Sequence, residues 1–133
     1  MSETEQTVRY IRDSYGVEPD YLWMKSPDCA AFRHHADRKW FAVLLPRLPR
    51  RKLGQAREGC VDILDVKCDP LLIPSLIQGK GILPGFHMNK AHWIALPLDG
   101  SVPMETVCAL IDRSYALTRA RAGKRRGAEA GRA

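Results

Sequence analysis

Apolar side chains recur at Val8, Ile11 and Tyr15 near the start of the chain, the spacing of one face of a helix. An amphipathic helix is predicted over 4–15, with Glu3 and Glu5 at its positive end and Gly16 as a left-handed cap. From Val17 to Leu45 the helical period gives way to short extended pieces broken by Pro19, Pro27 and the Ala36-Asp37-Arg38 turn. Cys29 to His35 and Lys39 to Leu45 are read as a hairpin, and Pro46 and Pro49, which cannot donate to a ladder, as its end. Residues 47–59, polar and five times basic, read as a projecting loop. Cys60 to Cys68 is a further strand, with Leu64, Val66 and Cys68 toward the core and Asp65 and Lys67 outward.

Asp69-Pro70 is a helix start and Gly79 a stop, so Pro70 to Gln78 should form a short helix distorted by Pro74. His92 to Leu98 reads as a strand and Asp99-Gly100 as a turn. Pro103 opens a long helix to about Arg119 with a buried stripe of Val107, Leu110, Ile111, Ser114 and Thr118, its end marked by Gly123. Tight connections without repeated helical crossovers predict an α+β class: an antiparallel sheet with the N- and C-terminal helices packed on one face and the other face free. One domain over 1–120 is expected, followed by a basic tail, 121–133, whose Ala/Gly/Arg composition predicts disorder.

The chain of 133 residues carries a formal charge of +6, which permits a polyanionic partner without requiring one. Two clusters hold much of that charge: the tail, and Arg47, Arg50, Arg51, Lys52 and Arg57 in the mid-chain loop. The longest apolar run, Phe41 to Leu45, falls far short of the roughly 20 residues that span a bilayer. The polar, acidic N-terminus does not read as a secretory signal, so a cytoplasmic, monomeric protein without membrane contact is the expectation. Cys29, Cys60, Cys68 and Cys108 lack the C-x-x-C spacing of zinc or redox sites and read as reduced core thiols. His34 and His35 would point to opposite strand faces and His87 and His92 are five apart, so no metal site and no cofactor is expected.

The densest chemistry lies in Pro84-Gly-Phe-His87-Met-Asn89-Lys90-Ala-His92-Trp93. With Leu98-Asp-Gly-Ser-Val-Pro103, Asp112-Arg-Ser114-Tyr115, and upstream Glu18-Pro19-Asp-Tyr21, Lys39-Trp-Phe41-Ala and Asp65-Val-Lys67-Cys-Asp69-Pro70, this run resembles the MmcQ/YjbR family over roughly Val8 to Ala120. The resemblance implies a frataxin-like (CyaY-like) fold and a DNA-binding module. It does not extend to frataxin-type iron binding, because Glu3, Glu5 and Asp13 are scattered and offset by Arg9 and Arg12.

In a DNA reading, the Arg47 to Arg57 cluster lies along phosphates as a basic wing, Lys67, His87, Asn89, Lys90 and His92 supply further donors, and Trp93 offers a stacking platform. A plainer reading makes Trp93 half buried, Asn89 and His87 the partners of turn backbone, and Lys39 and Lys67 cross-strand partners of Asp62 and Asp65. No glycine-rich phosphate loop, G-x-S-x-G elbow or H-E-x-x-H helix is present, and Ser114 fits close helix packing better than nucleophilic attack. The sequence therefore predicts a non-catalytic protein that binds DNA weakly through its phosphates. The alternative is a protein or small-ligand interaction module built on the free sheet face and the 87–93 turn; mostly apolar outward residues on that face would favour it.

Overall fold

A computed structural model describes residues 1–79 and 81–119. Helix α1 (Glu3–Tyr15) opens on a capping box, in which the Ser2 hydroxyl accepts from the Glu5 N–H and the Glu5 carboxylate accepts from the Ser2 N–H. Gly16 closes it at φ 66, as the sequence predicts. Strands β1 (Ala30–Arg33), β2 (Trp40–Pro49), β3 (Cys60–Lys67), β4 (Leu83–Pro84) and β5 (Trp93–Pro97) form one antiparallel sheet in the order β1-β2-β3-β5-β4. A short α2 (Ile73–Leu76) follows β3, and α3 (Met104–Thr118) follows β5.

The expected α+β architecture is observed. Ile11 of α1 and Val107, Leu110 and Ile111 of α3 share one core with Phe32, Leu44, Leu64, Val66, Ile94 and Leu96 of the sheet. The predicted stripe of α3 is the observed one, with Val107, Leu110, Ile111, Ser114 and Thr118 all buried. The helix ends at Thr118; Gly123 and the 121–133 tail lie outside the described residues.

Ser114 does more than allow close packing. Its hydroxyl donates to the Phe41 carbonyl at 2.5 Å and accepts from the Lys67 N–H at 2.9 Å, tying α3 to β2 and β3. Ser114→Ala would strand both backbone groups without water and should cost about 1–3 kcal/mol in urea denaturation. The two helices are also joined to each other. The Tyr10 hydroxyl donates to Asp112 at 2.8 Å, the Tyr15 hydroxyl also bonds Asp112, and the Tyr15 ring stacks on Tyr115 at 3.9 Å.

Two irregularities in β2 shape the other sheet face. Opposite the β1 pairs Phe32↔Ala42 and Arg33↔Trp40, β2 carries one extra residue. This bulge puts both Phe41 and Ala42 in the helix-side core and leaves Trp40 beside Val43 on the opposite face. The second interruption corrects the expectation that Pro46 ends the strand: β2 continues to Pro49 through a bulge between Leu45 and Leu48. Pro46 sits where no ladder bond is made, and Arg47, at φ 54, donates its N–H to Asp62 instead.

The expected 47–59 loop is correspondingly shorter. A single 3-10 turn, Arg50–Leu53, follows β2, capped by Gly54 at φ 78. The predicted Pro70 to Gln78 helix contracts to α2, and Asp69 accepts from the Leu71 N–H ahead of it. Of the expected core thiols only Cys68 is buried; Cys60, at the start of β3, is exposed.

Candidate functional site

The sheet face away from the helices is apolar but incompletely covered. Val61, Ile63 and Ala95 form a small second cluster there with Leu45, Leu48, Leu53, Leu83 and Phe86. Beside it opens a pocket of about 340 Å³, within the lower range of small-molecule sites. Trp40, Val43 and Leu45 of β2 and Asp65 of β3 contribute sheet residues to it. Trp23, Ser26 and Cys29 come from the segment before β1, and Phe86, His87 and Met88 from the β4–β5 loop.

Asp65 is the one acidic side chain lining the pocket among the described residues, and it faces outward as expected, yet without reaching water. It is 0 % exposed. The Phe86 N–H donates to Oδ1 at 3.1 Å, whereas Oδ2 is buried without a hydrogen-bond partner among the described residues. Burial raises the Asp65 carboxyl to about 7, against the opposing pull of the Phe86 N–H and the Lys90 charge. Asp65 is therefore held between its neutral and charged forms near physiological pH.

The pocket walls are aromatic and locally strained. The Trp23 and Trp40 rings meet edge to face at 5.5 Å. The Phe86 ring lies 4.1 Å from the His87 imidazole. His87 adopts φ 60, sparsely populated for a side chain of its kind. The loop that carries them is anchored where Gly85 donates to the Trp93 carbonyl at 3.1 Å, so close that a β-carbon at 85 would lie 2.8 Å from the Trp93 β-carbon.

Within the 87–93 turn, Asn89 acts on the backbone. Its side chain accepts from the Ala91 N–H at 2.9 Å and its carbonyl from the N–H groups of His92 and Trp93. Trp93 is 9 % exposed and packs against Gly85, so it presents no free stacking face. His87, Lys90 and His92 are exposed.

The basic cluster is dispersed. Arg47 pairs with Asp28. Arg50, read as a loop cation, is buried and pairs with Asp99 at 3.0 Å, while its other terminal nitrogen donates to Gln55 at 2.9 Å. Arg57 approaches the same Asp99 at 3.8 Å. Burial pushes the Asp99 carboxyl up, but the Ser101 hydroxyl and N–H and the Arg50 guanidinium hold it below its ordinary value. Arg51 and Lys52 remain exposed and outside every ion pair among the described residues. Lys67 is half buried, and neither it nor Lys39 makes the expected pair with Asp62 or Asp65 among the described residues. Asp62 instead accepts from the Thr4 hydroxyl at 2.6 Å and from the Arg47 N–H.

The family model described as YjbR matches residues 12–117. The chain belongs to the YjbR family. It is 39% identical over 119 residues to the uncharacterized protein YyaQ of Bacillus subtilis, covering 90% of this chain and all of that one. A shorter stretch of 38 residues is 45% identical to the uncharacterized protein YjbR of Escherichia coli K12, 29% of this chain and 32% of that one. A crystal structure of a Pseudomonas syringae protein matches at 40% identity with a TM-score of 0.83, covering 86% and 97% of the two chains. A Deinococcus radiodurans crystal structure, at 23% identity and a TM-score of 0.65 over 88% and 78%, shares the fold.

Sequence reasoning about this YjbR-family chain placed His87 at the site but missed Asp65 and the two tryptophans. A signal was present: Val61 and Ile63, which share the Asp65 face of β3, are both apolar, so that face was poorly suited to water. No helix among the described residues is long and apolar enough to cross a membrane.

Proposed function

We propose that this chain is a non-catalytic binding module, one domain over 1–120, whose ligand site is the pocket on the open sheet face. One observation carries the reading: the pocket contains a buried carboxylate with an unpartnered oxygen, a group that costs stability unless something donates to it. The apolar outward residues around it support an interaction module over a phosphate-binding surface. The frataxin-like likeness of the fold belongs to the same reading, without its iron chemistry.

The test is a ligand-observed NMR screen of small aromatic fragments, with hits mapped on the protein. Shifts should concentrate at the Trp23 and Trp40 indoles and the Phe86 N–H. They should vanish in Ser26→Trp, which adds bulk at an exposed lining position. Shifts scattered elsewhere, or none, would contradict the reading.

DNA binding through phosphates is the second reading, and Arg51 and Lys52, exposed and outside every ion pair among the described residues, favour it. With Arg47, Arg50 and Arg57 held by carboxylates, two or three contacts remain once Lys90 is included. At about 0.9 per contact, the slope of log affinity against log salt for a chain ending at Arg119 should lie near −2 to −3. Fluorescence anisotropy with labelled duplex measures it. A slope of −4 or steeper that collapses on Arg51→Ala/Lys52→Ala would put function on the basic surface instead.

A further inference from the structure

The unpartnered oxygen of Asp65 narrows the chemistry of what the pocket can hold. An anion is disfavoured by the carboxylate. Among the described residues no group of three or more His, Cys, Asp or Glu side chains is placed to hold a metal ion. A neutral apolar ligand would leave Oδ2 orphaned and the carboxylate charge uncompensated, the two costs that the fold itself carries.

A positively charged N–H donor removes both costs. The walls suit it as well, because Trp23, Trp40 and Phe86 line the pocket and aromatic rings attract cations, more strongly where water is excluded. Resting on the reading of this pocket as the ligand site, we propose that its ligand is an organic cation bearing an N–H, an ammonium or amidinium group on an apolar or aromatic body, which donates to Asp65 Oδ2 and lies against the Trp23, Trp40 and Phe86 rings.

Among the described residues the protein supplies no competing partner. Asp65 forms no ion pair among the described residues, and Lys90 is exposed, near enough only to bias the carboxyl electrostatically. The other ionisable groups nearby are Cys29 ahead of β1, His87 on the β4–β5 loop and Lys67 on the same face of β3; β2 and β5 present Val43, Leu45 and Ala95. Burial raises the Cys29 thiol, so it adds no anionic ligand at neutral pH.

The cation binds the ionised carboxylate, so affinity rises with pH as Asp65 loses its proton. With a midpoint of about 7, the ionised fraction grows about tenfold from pH 6 to pH 8, and affinity should grow by that factor.

Three probes test this on the full chain, read by tryptophan fluorescence and by the Phe86 N–H shift. Benzamidine carries charge and N–H, benzamide keeps the shape and N–H without the charge, and tetramethylammonium carries charge without N–H. Benzamidine should bind at least tenfold tighter than either of the others at pH 8, and about tenfold tighter at pH 8 than at pH 6. The pH step should persist in His87→Gln, which removes the imidazole lining the pocket. Asp65→Asn should reduce benzamidine to the benzamide level and abolish the pH step; the wild-type pH series decides the matter if that variant fails to fold. Equal binding of benzamide and benzamidine, indifferent to pH, would overturn the cation while leaving the pocket as the site. Failure of all three probes, together with an empty fragment screen, would overturn both.

Discussion

Asp65→Asn is expected to gain about 4 kcal/mol of stability relative to wild type between pH 4 and pH 8. The carboxyl titrates at about 7 in the fold, against an ordinary 3.8. Because the folded value is the higher one, the native state holds a proton that the unfolded chain has already lost across that interval. Stability therefore falls as pH rises from about 4 through 7, and the penalty is complete above 7, at about 1.36 kcal/mol per pH unit of separation.

Asparagine keeps an acceptor for the Phe86 N–H and carries no charge, so the penalty disappears with the carboxylate. His34 works in the opposite sense. Burial lowers its value, so it loses stability as pH falls through the ordinary histidine range, but it is common to both proteins and cancels in their difference. Urea denaturation of the two proteins across pH measures that difference directly. A site residue that lowers the stability of the fold fits retention for binding rather than for folding.

Arg50→Ala is expected to cost about 1.5–3 kcal/mol, the range for losing a hydrogen bond to a charged group. Its side chain is 8% exposed and that of Asp99 15%, so water screens this pair less than a pair on the open surface. Removing the guanidinium leaves the Asp99 carboxylate to its Ser101 donors and takes a donor from the Gln55 side-chain oxygen. Arg57, at 3.8 Å from Asp99 and largely exposed, offers weak replacement. Arg51→Ala and Lys52→Ala, exposed in the same 3-10 turn, should each stay within about 0.5 kcal/mol of wild type.

Denaturation midpoints of the three variants check the contrast. The consequence for function is practical. A combined Arg50, Arg51 and Lys52 substitution would mix lost stability with lost phosphate contacts, so only the Arg51/Lys52 pair reports on phosphate contacts.

These two residues also mark the limit of what the sequence discloses. Periodicity alone located α1 and the full buried stripe of α3, because a helix writes its covered face into the local spacing of Val107, Leu110, Ile111, Ser114 and Thr118. Strand alternation likewise assigned Leu64 and Val66 to the core. The same alternation sent Asp65 outward, correctly, but outward was equated with water. What covers that face, the segment bearing Trp23 and the loop bearing Phe86 and His87, arrives from distant parts of the chain.

Arg50 was misjudged for a related reason. Its partner Asp99 follows β5, and a pairing across that separation leaves no local trace. The two-residue β4 was too short to carry any period, and the β2 bulges depend on register with β1 and β3. The 87–93 turn, by contrast, was legible as local chemistry: Asn89 closes it through its own side chain and carbonyl.

The most direct measurement is the ¹³C chemical shift of the Asp65 carboxyl carbon, followed against pH with and without benzamidine. A midpoint near 7 in the free protein, moved clearly downward by the cation, is the predicted result. A midpoint near 4 that benzamidine leaves in place would contradict the account, since Asp65 would then be an ordinary solvated carboxylate and the open sheet face would have no buried group awaiting a ligand.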